Sequence, residues 1–126
     1  MTGVLVDTSV WVDHFRQQNA SLRDLLERDL VLTHPFVLGE IACGTPPNRA
    51  RTLSDLTHLR SVQQASLQET MEFIGREKLF GLGCGLIDLT LLASTLMTSG
   101  ATLWTQDKRL SALTTRFGVH HRAALH

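Results

Sequence analysis

The sequence is sparing with cysteine, with net charge and with long apolar runs. Its two cysteines, Cys43 and Cys84, sit in apolar surroundings without CxxC spacing. That excludes a disulfide framework and a paired-thiol zinc site, and implies reduced structural thiols in a reducing compartment, the cytosol by default. Twelve lysines and arginines balance twelve aspartates and glutamates, so overall charge selects neither nucleic acid nor a membrane surface. No run is long enough to span a bilayer: Leu89 to Met97 is broken by Thr90, Ser94 and Thr95. The N-terminus lacks a basic stretch, and Asp7 interrupts what would otherwise be the core of a signal peptide. The histidines (His14, His34, His58, His120, His121 and His126) show no paired helical spacing, and none is assigned to catalysis. With 126 residues, 43% hydrophobic and 19% charged, the composition is that of one ordinary globular domain spanning residues 1–126.

Against that plain background, four acids stand in or beside the most apolar stretches. Asp7 ends Val4-Leu5-Val6, Glu40 interrupts Phe36 to Ala42, Asp88 interrupts Leu86 to Leu89, and Asp107 follows Ala101 to Trp104. Isolated carboxylates are costly to bury, so each needs a partner. Short apolar runs at Val4–Val6, Leu30–Leu32 and Thr102–Trp104 predict buried strands, with weaker candidates at Ser61–Gln63 and Val119–His120. Helical patterns fall between them. Ser21 with Asp24, Thr52 with Asp55 and Ser66 with Glu69 have capping-box spacing. Pro35 opens a helix to about Cys43, and Gly81, Gly83 and Gly85 lead into another from Leu86 to Thr98, which Gly100 ends. The alternation predicts an α/β domain, a central twisted parallel sheet flanked by helices on both faces.

Ligands of such sheets bind beyond the carboxyl ends of the strands, where Asp7 and Asp107 fall, with Glu40 and Asp88 expected to point inward from their helices. Four crowded carboxylates repel one another unless a cation neutralises them, and an all-oxygen set suits Mg2+ or Mn2+ rather than zinc. Ordinary roles compete at two positions: Asp107 is also placed to cap a helix, and Asp7 to close a strand-end turn. Trp104 belongs to the core, whereas Trp11 is expected to be more open and available to stack an unpaired base.

The chain resembles the PIN-domain ribonucleases, in particular the VapC toxins of bacterial toxin–antitoxin pairs. The resemblance lies in Val4-Leu5-Val6-Asp7-Thr8-Ser9 followed by Trp11, in Glu40 after an apolar helical stretch, in Gly83-Cys84-Gly85-Leu86-Ile87-Asp88, and in Leu103-Trp104-Thr105-Gln106-Asp107. Four such motifs in order are specific where one is not. The resemblance implies an RNA phosphodiesterase whose Asp7, Glu40, Asp88 and Asp107 hold one or two Mg2+ or Mn2+ ions that activate water, leaving 5′-phosphate and 3′-hydroxyl ends. Thr8, Ser9 and Thr105 become candidate supporting hydroxyls, Asp13 a spare site residue, and Lys108 and Arg109 candidate phosphate contacts. It further implies a small VapB-like antitoxin, a homodimer and a cytoplasmic setting with no membrane partner. Two alternatives are a non-catalytic acidic-pocket module that binds a partner protein, and an Mg2+-dependent phosphatase. The phosphatase normally needs a second aspartate two residues after the first, where this chain has Ser9.

Overall fold

The computed structural model describes residues 3–122. Four strands, β1 (Gly3–Val6), β2 (Val31–Thr33), β3 (Arg60–Ser61) and β4 (Ala101–Trp104), form one sheet in the order β3-β2-β1-β4, with every pairing parallel. All four residues of β1 are buried, so side chains on both faces of the sheet are covered. The covering elements are α1 (Thr8–Arg16), α2 (Ala20–Glu27), α3 (Pro35–Ala42), α4 (Arg49–Thr57), α5 (Leu67–Glu77), α6 (Leu86–Met97) and α7 (Lys108–Arg116). Leu5, Val6, Leu91, Leu92, Leu103 and Leu110 are completely inaccessible and form the centre of the core. The α/β architecture is the one expected from the alternation of apolar runs and helical patterns.

The chain steps from β1 outward through β2 to β3, then returns to the opposite side of β1 as β4. The order in which strands are added reverses between β1 and β4, the switch point of a parallel sheet, where loops leave the carboxyl ends to opposite sides and a ligand crevice is expected. In register, Val6 stands opposite Trp104, so the next residues, Asp7 and Thr105, emerge side by side.

Local differences from expectation have identifiable causes. Strand β2 begins one residue late because the Leu30 amide donates to the Leu25 carbonyl at the end of α2 (2.9 Å) rather than to a ladder. The expected fifth strand is a single parallel bridge between Leu103 and His120. Of three candidate capping boxes only Ser66 with Glu69 forms. The other two fail because Ser21 and Thr52 lie inside α2 and α4, past the cap positions held by Asn19 and Asn48. Helix α2 is instead capped by Asn19, which accepts from the Leu22 amide (3.0 Å), and α4 starts after Asn48 in the left-handed region (φ 46°). Helix α3 has Pro35 in its first turn as expected, but its cap is His34, whose Nδ1 accepts the Phe36 amide at 3.0 Å.

Candidate active site

Asp7 is the centre of the crevice. It ends β1 and starts α1, the position where aspartate usually turns its carboxylate onto the helix's first amides, yet its side chain makes no such bond. The carboxylate, 5% exposed, is turned instead to two hydroxyls: Ser9 Oγ and Thr105 Oγ1 both donate to Oδ2, at 2.7 and 2.8 Å. Each hydroxyl carries one proton, so the 3.5 Å approach between Ser9 and Thr105 is proximity alone. Their lone pairs are used as well, because Ser9 Oγ accepts the Gln106 amide and Thr105 Oγ1 accepts the Asp107 amide, each at 3.0 Å. The loop after β4 is thereby stitched to Asp7 from both sides. Oδ1 is left out of this hydroxyl pair.

The other three acids arrive from three helices. Thr8 Oγ1, next in sequence to Asp7, donates to Glu40 Oε1 at 2.7 Å and brings α3 to the crevice. Asp107 caps α7, accepting the Leu110 amide on Oδ1 (2.9 Å), so its expected structural role and its place beside the crevice coexist. Asp88 lies in the first turn of α6, half-buried. Its carboxyl is pushed above the ordinary aspartate range, first by burial and next by the charge of Asp7. A bond from the Gly85 amide opposes this, while Asp107 and Glu40 add to the rise. All four carboxylates therefore share one electrostatic neighbourhood. Burial also pushes the neighbouring Cys84 thiol up, reinforced by Asp88 and Asp107 and opposed by Arg109.

A PIN-domain family model matches residues 4–115. The chain belongs to the PIN-domain family. It is also 40% identical over 116 residues to the ribonuclease VapC32 of two strains of Mycobacterium tuberculosis, an alignment covering 92% of this chain and 94% of each relative. The likeness places it with the VapC type of PIN domain, as the motifs suggested.

The PIN domain's crevice differs from the sequence expectation in its burial. Glu40 and Asp107 are exposed and Asp88 is half-buried, so of the four acids only Asp7 is an enclosed carboxylate. Helix α3 explains the misjudgement at Glu40: it rests on Val37 and Ile41, one turn apart, and leaves Phe36, Gly39 and Glu40 on its outer side. Asp13 is not drawn into the cluster. It lies exposed on α1 and accepts from Gln106 Nε2 at 3.3 Å. Trp11 is buried, not open: it is 3% exposed and stacks with Phe15 at 6.0 Å, which removes it as a base-stacking platform. Trp104 is in the core as expected. Cys43 is exposed at the end of α3 and Cys84 is half-buried, both free, so the enclosed structural setting expected for Cys43 does not hold. His126 lies outside the described residues.

Two residues of the crevice escaped sequence reasoning. Gln106 links Ser9 to Asp13, and its only signal was its place between Thr105 and Asp107. His34 organises the start of α3, which carries Glu40. Histidine is an uncommon cap, and only its position directly before Pro35 pointed there.

Among the described residues, no three His, Cys, Asp or Glu side chains stand close enough to form a ready-made metal cage. The donor set nevertheless fits a hard divalent cation. All four groups offer oxygen, Asp7 retains one carboxylate oxygen outside its hydroxyl pair, and Asp88 carries the cost of the surrounding negative charge. Mg2+ is commonly held by one or two carboxylates with waters completing its shell, and does not require a closed protein cage.

Proposed function

We propose that this PIN-domain protein is a ribonuclease that acts as the toxin of a VapBC-type pair, with Mg2+ or Mn2+ held by Asp7, Glu40, Asp88 and Asp107. The observation that carries the reading is the enclosed Asp7 carboxylate, fixed by two hydroxyls at the β1/β4 switch point, whose charge acts on Asp88 together with those of Asp107 and Glu40. When bound, the ion supplies a hydroxide-like water at neutral pH and offsets charge on the phosphate. The chain's own residues hold the geometry. Ser9 and Thr105 fix the rotamer of Asp7, Thr8 keeps Glu40 facing the crevice, and the Asp107 cap fixes the start of α7. Glu40 and Asp107 are exposed beside Asp7, so substrate reaches the acids from outside the sheet, and an unpaired RNA segment adapts to such a site more readily than a duplex.

The relatives' name, ribonuclease VapC, supports both the substrate class and a VapB-like antitoxin as partner. A cytosolic setting and a toxin homodimer belong to the same reading. No helix among the described residues is long and apolar enough to cross a membrane. The antitoxin would lay an amphipathic helix or extended tail over apolar surface beside the crevice. The test is controlled expression alone and with the adjacent small open reading frame, followed by mapping of RNA ends. Expression alone arrests growth and yields new 5′-phosphate ends, and co-expression restores growth. Equal growth and identical RNA ends in both cultures, with both chains detected, contradict the proposal.

A further inference from the structure

An anionic backbone approaching four carboxylates is repelled, so the crevice needs a fixed cation of its own to seat a phosphate. Lys108 and Arg109 occupy the first turn of α7, where the helix dipole disfavours positive charge. Two cations in that turn run against local stability, the kind of conflict that marks a functional demand. Arg109 is distinguished from Lys108 by what lies beneath it. Gly83 has φ +86°, and a Cβ built there would meet Arg109 Cδ at 2.7 Å and its Nε and Nη1 at 2.9 Å. The end of the Arg109 side chain therefore packs against Gly83, in the space that a Cβ there would take. It is nonetheless unpaired: among the described residues the ion pairs are Arg28–Asp24 and Arg116–Glu77, and neither includes Arg109. Its charge still reaches Cys84, between Asp88 and the Gly83 turn.

From this juxtaposition we infer that Arg109, cradled on Gly83, is the residue that grips an RNA backbone phosphodiester at the edge of the carboxylate cluster. A planar guanidinium presents paired N–H donors that match phosphate oxygens, and lying against backbone restricts its motion before substrate arrives. Gly83 is a positioning residue in this arrangement, because a side chain there displaces the guanidinium. The inference rests on the ribonuclease reading and goes beyond it by assigning substrate binding to one cation and its cradle.

The test uses the full chain with Arg109→Gln, Arg109→Lys, Gly83→Ala, Gly83→Asn and the double variant Gly83→Ala/Arg109→Gln, each checked for folding by thermal melt. Asparagine tolerates positive φ better than alanine and serves if Gly83→Ala does not fold. Cleavage of a short labelled RNA is measured beside binding of the same RNA to Asp88→Asn protein across a salt series. Arg109→Gln is expected to raise KM about ten- to a hundredfold with a smaller change in kcat, and to lower the salt slope of binding by about one. Lysine restores the slope but only part of the affinity. The Gly83 variants weaken binding in the same direction, and the double variant is no worse than Arg109→Gln. Unchanged binding and salt slope in folded Arg109→Gln overturn the assignment. Additive losses in the double variant overturn the cradle. A wild type that binds RNA through Arg109 without cleaving it overturns the nuclease reading and leaves the phosphate grip standing.

Discussion

Replacing Thr105 by valine removes one hydroxyl while keeping the side chain's shape, and the structure sets the size of the effect. Thr105 Oγ1 donates to a carboxylate that is 5% exposed and accepts the Asp107 amide. A hydrogen bond to a charged group contributes about 1.5–3 kcal/mol, and water has little access to replace it at Asp7. Taking about 2 kcal/mol, a domain of this size loses about 6–10 °C in Tm. Ser9→Ala removes the other donor to the same oxygen and is expected to cost a similar amount. The double variant is expected to cost more than the sum, because it leaves a buried charge with neither hydroxyl. Thermal melts and urea titrations of the four proteins give the cycle directly. A Thr105→Val protein as stable as wild type, or a strictly additive double variant, would refute the claim that the two hydroxyls together hold the Asp7 carboxylate in place.

Asp88→Asn tests the electrostatics. Its carboxyl has a folded-state pKa above the unfolded value, so its ionisation costs stability, a cost that grows as pH rises from the ordinary aspartate range through the raised value. In metal-free buffer the asparagine variant should therefore match or exceed wild type in Tm at pH 7, with the difference vanishing toward acid pH; a variant that is less stable at pH 7 would contradict this. His34→Ala should cost about 1 kcal/mol through loss of the α3 cap, and His34→Asn should recover most of it; equal melts for alanine and wild type would remove His34 from that role.

The fold was legible because its strands are short apolar runs whose burial leaves few other uses. Val4-Leu5-Val6 and Leu103-Trp104 needed only apolar length to be placed. The four acids were found for a reason only partly correct. Asp7 is buried as its setting demanded, but Glu40 sits in an apolar stretch whose outer face is exposed, and only the helix phase set by Val37 and Ile41 reveals this. The same limit applied to Trp11, whose burial depends on Phe15 and on packing that sequence spacing does not specify. Both hydroxyls on Asp7 were legible as candidate supporting groups, but their convergence on one carboxylate oxygen was not. Ser9 is local, whereas Thr105 comes from 98 residues away and is brought alongside by the β1/β4 register. Arg109 over Gly83 was least legible, because a glycine's neighbour across space leaves no trace in its own sequence context.

The most direct test of the central claim is single-turnover cleavage of a labelled RNA by wild type and Asp7→Asn, each stripped of metal and titrated with Mg2+ or Mn2+. Wild type should be silent after chelation and recover cleavage with either ion, yielding 5′-phosphate ends, while folded Asp7→Asn stays silent throughout the titration. Chelator-resistant cleavage by wild type, or metal-dependent cleavage by Asp7→Asn at the wild-type rate, would contradict an active site built on these carboxylates.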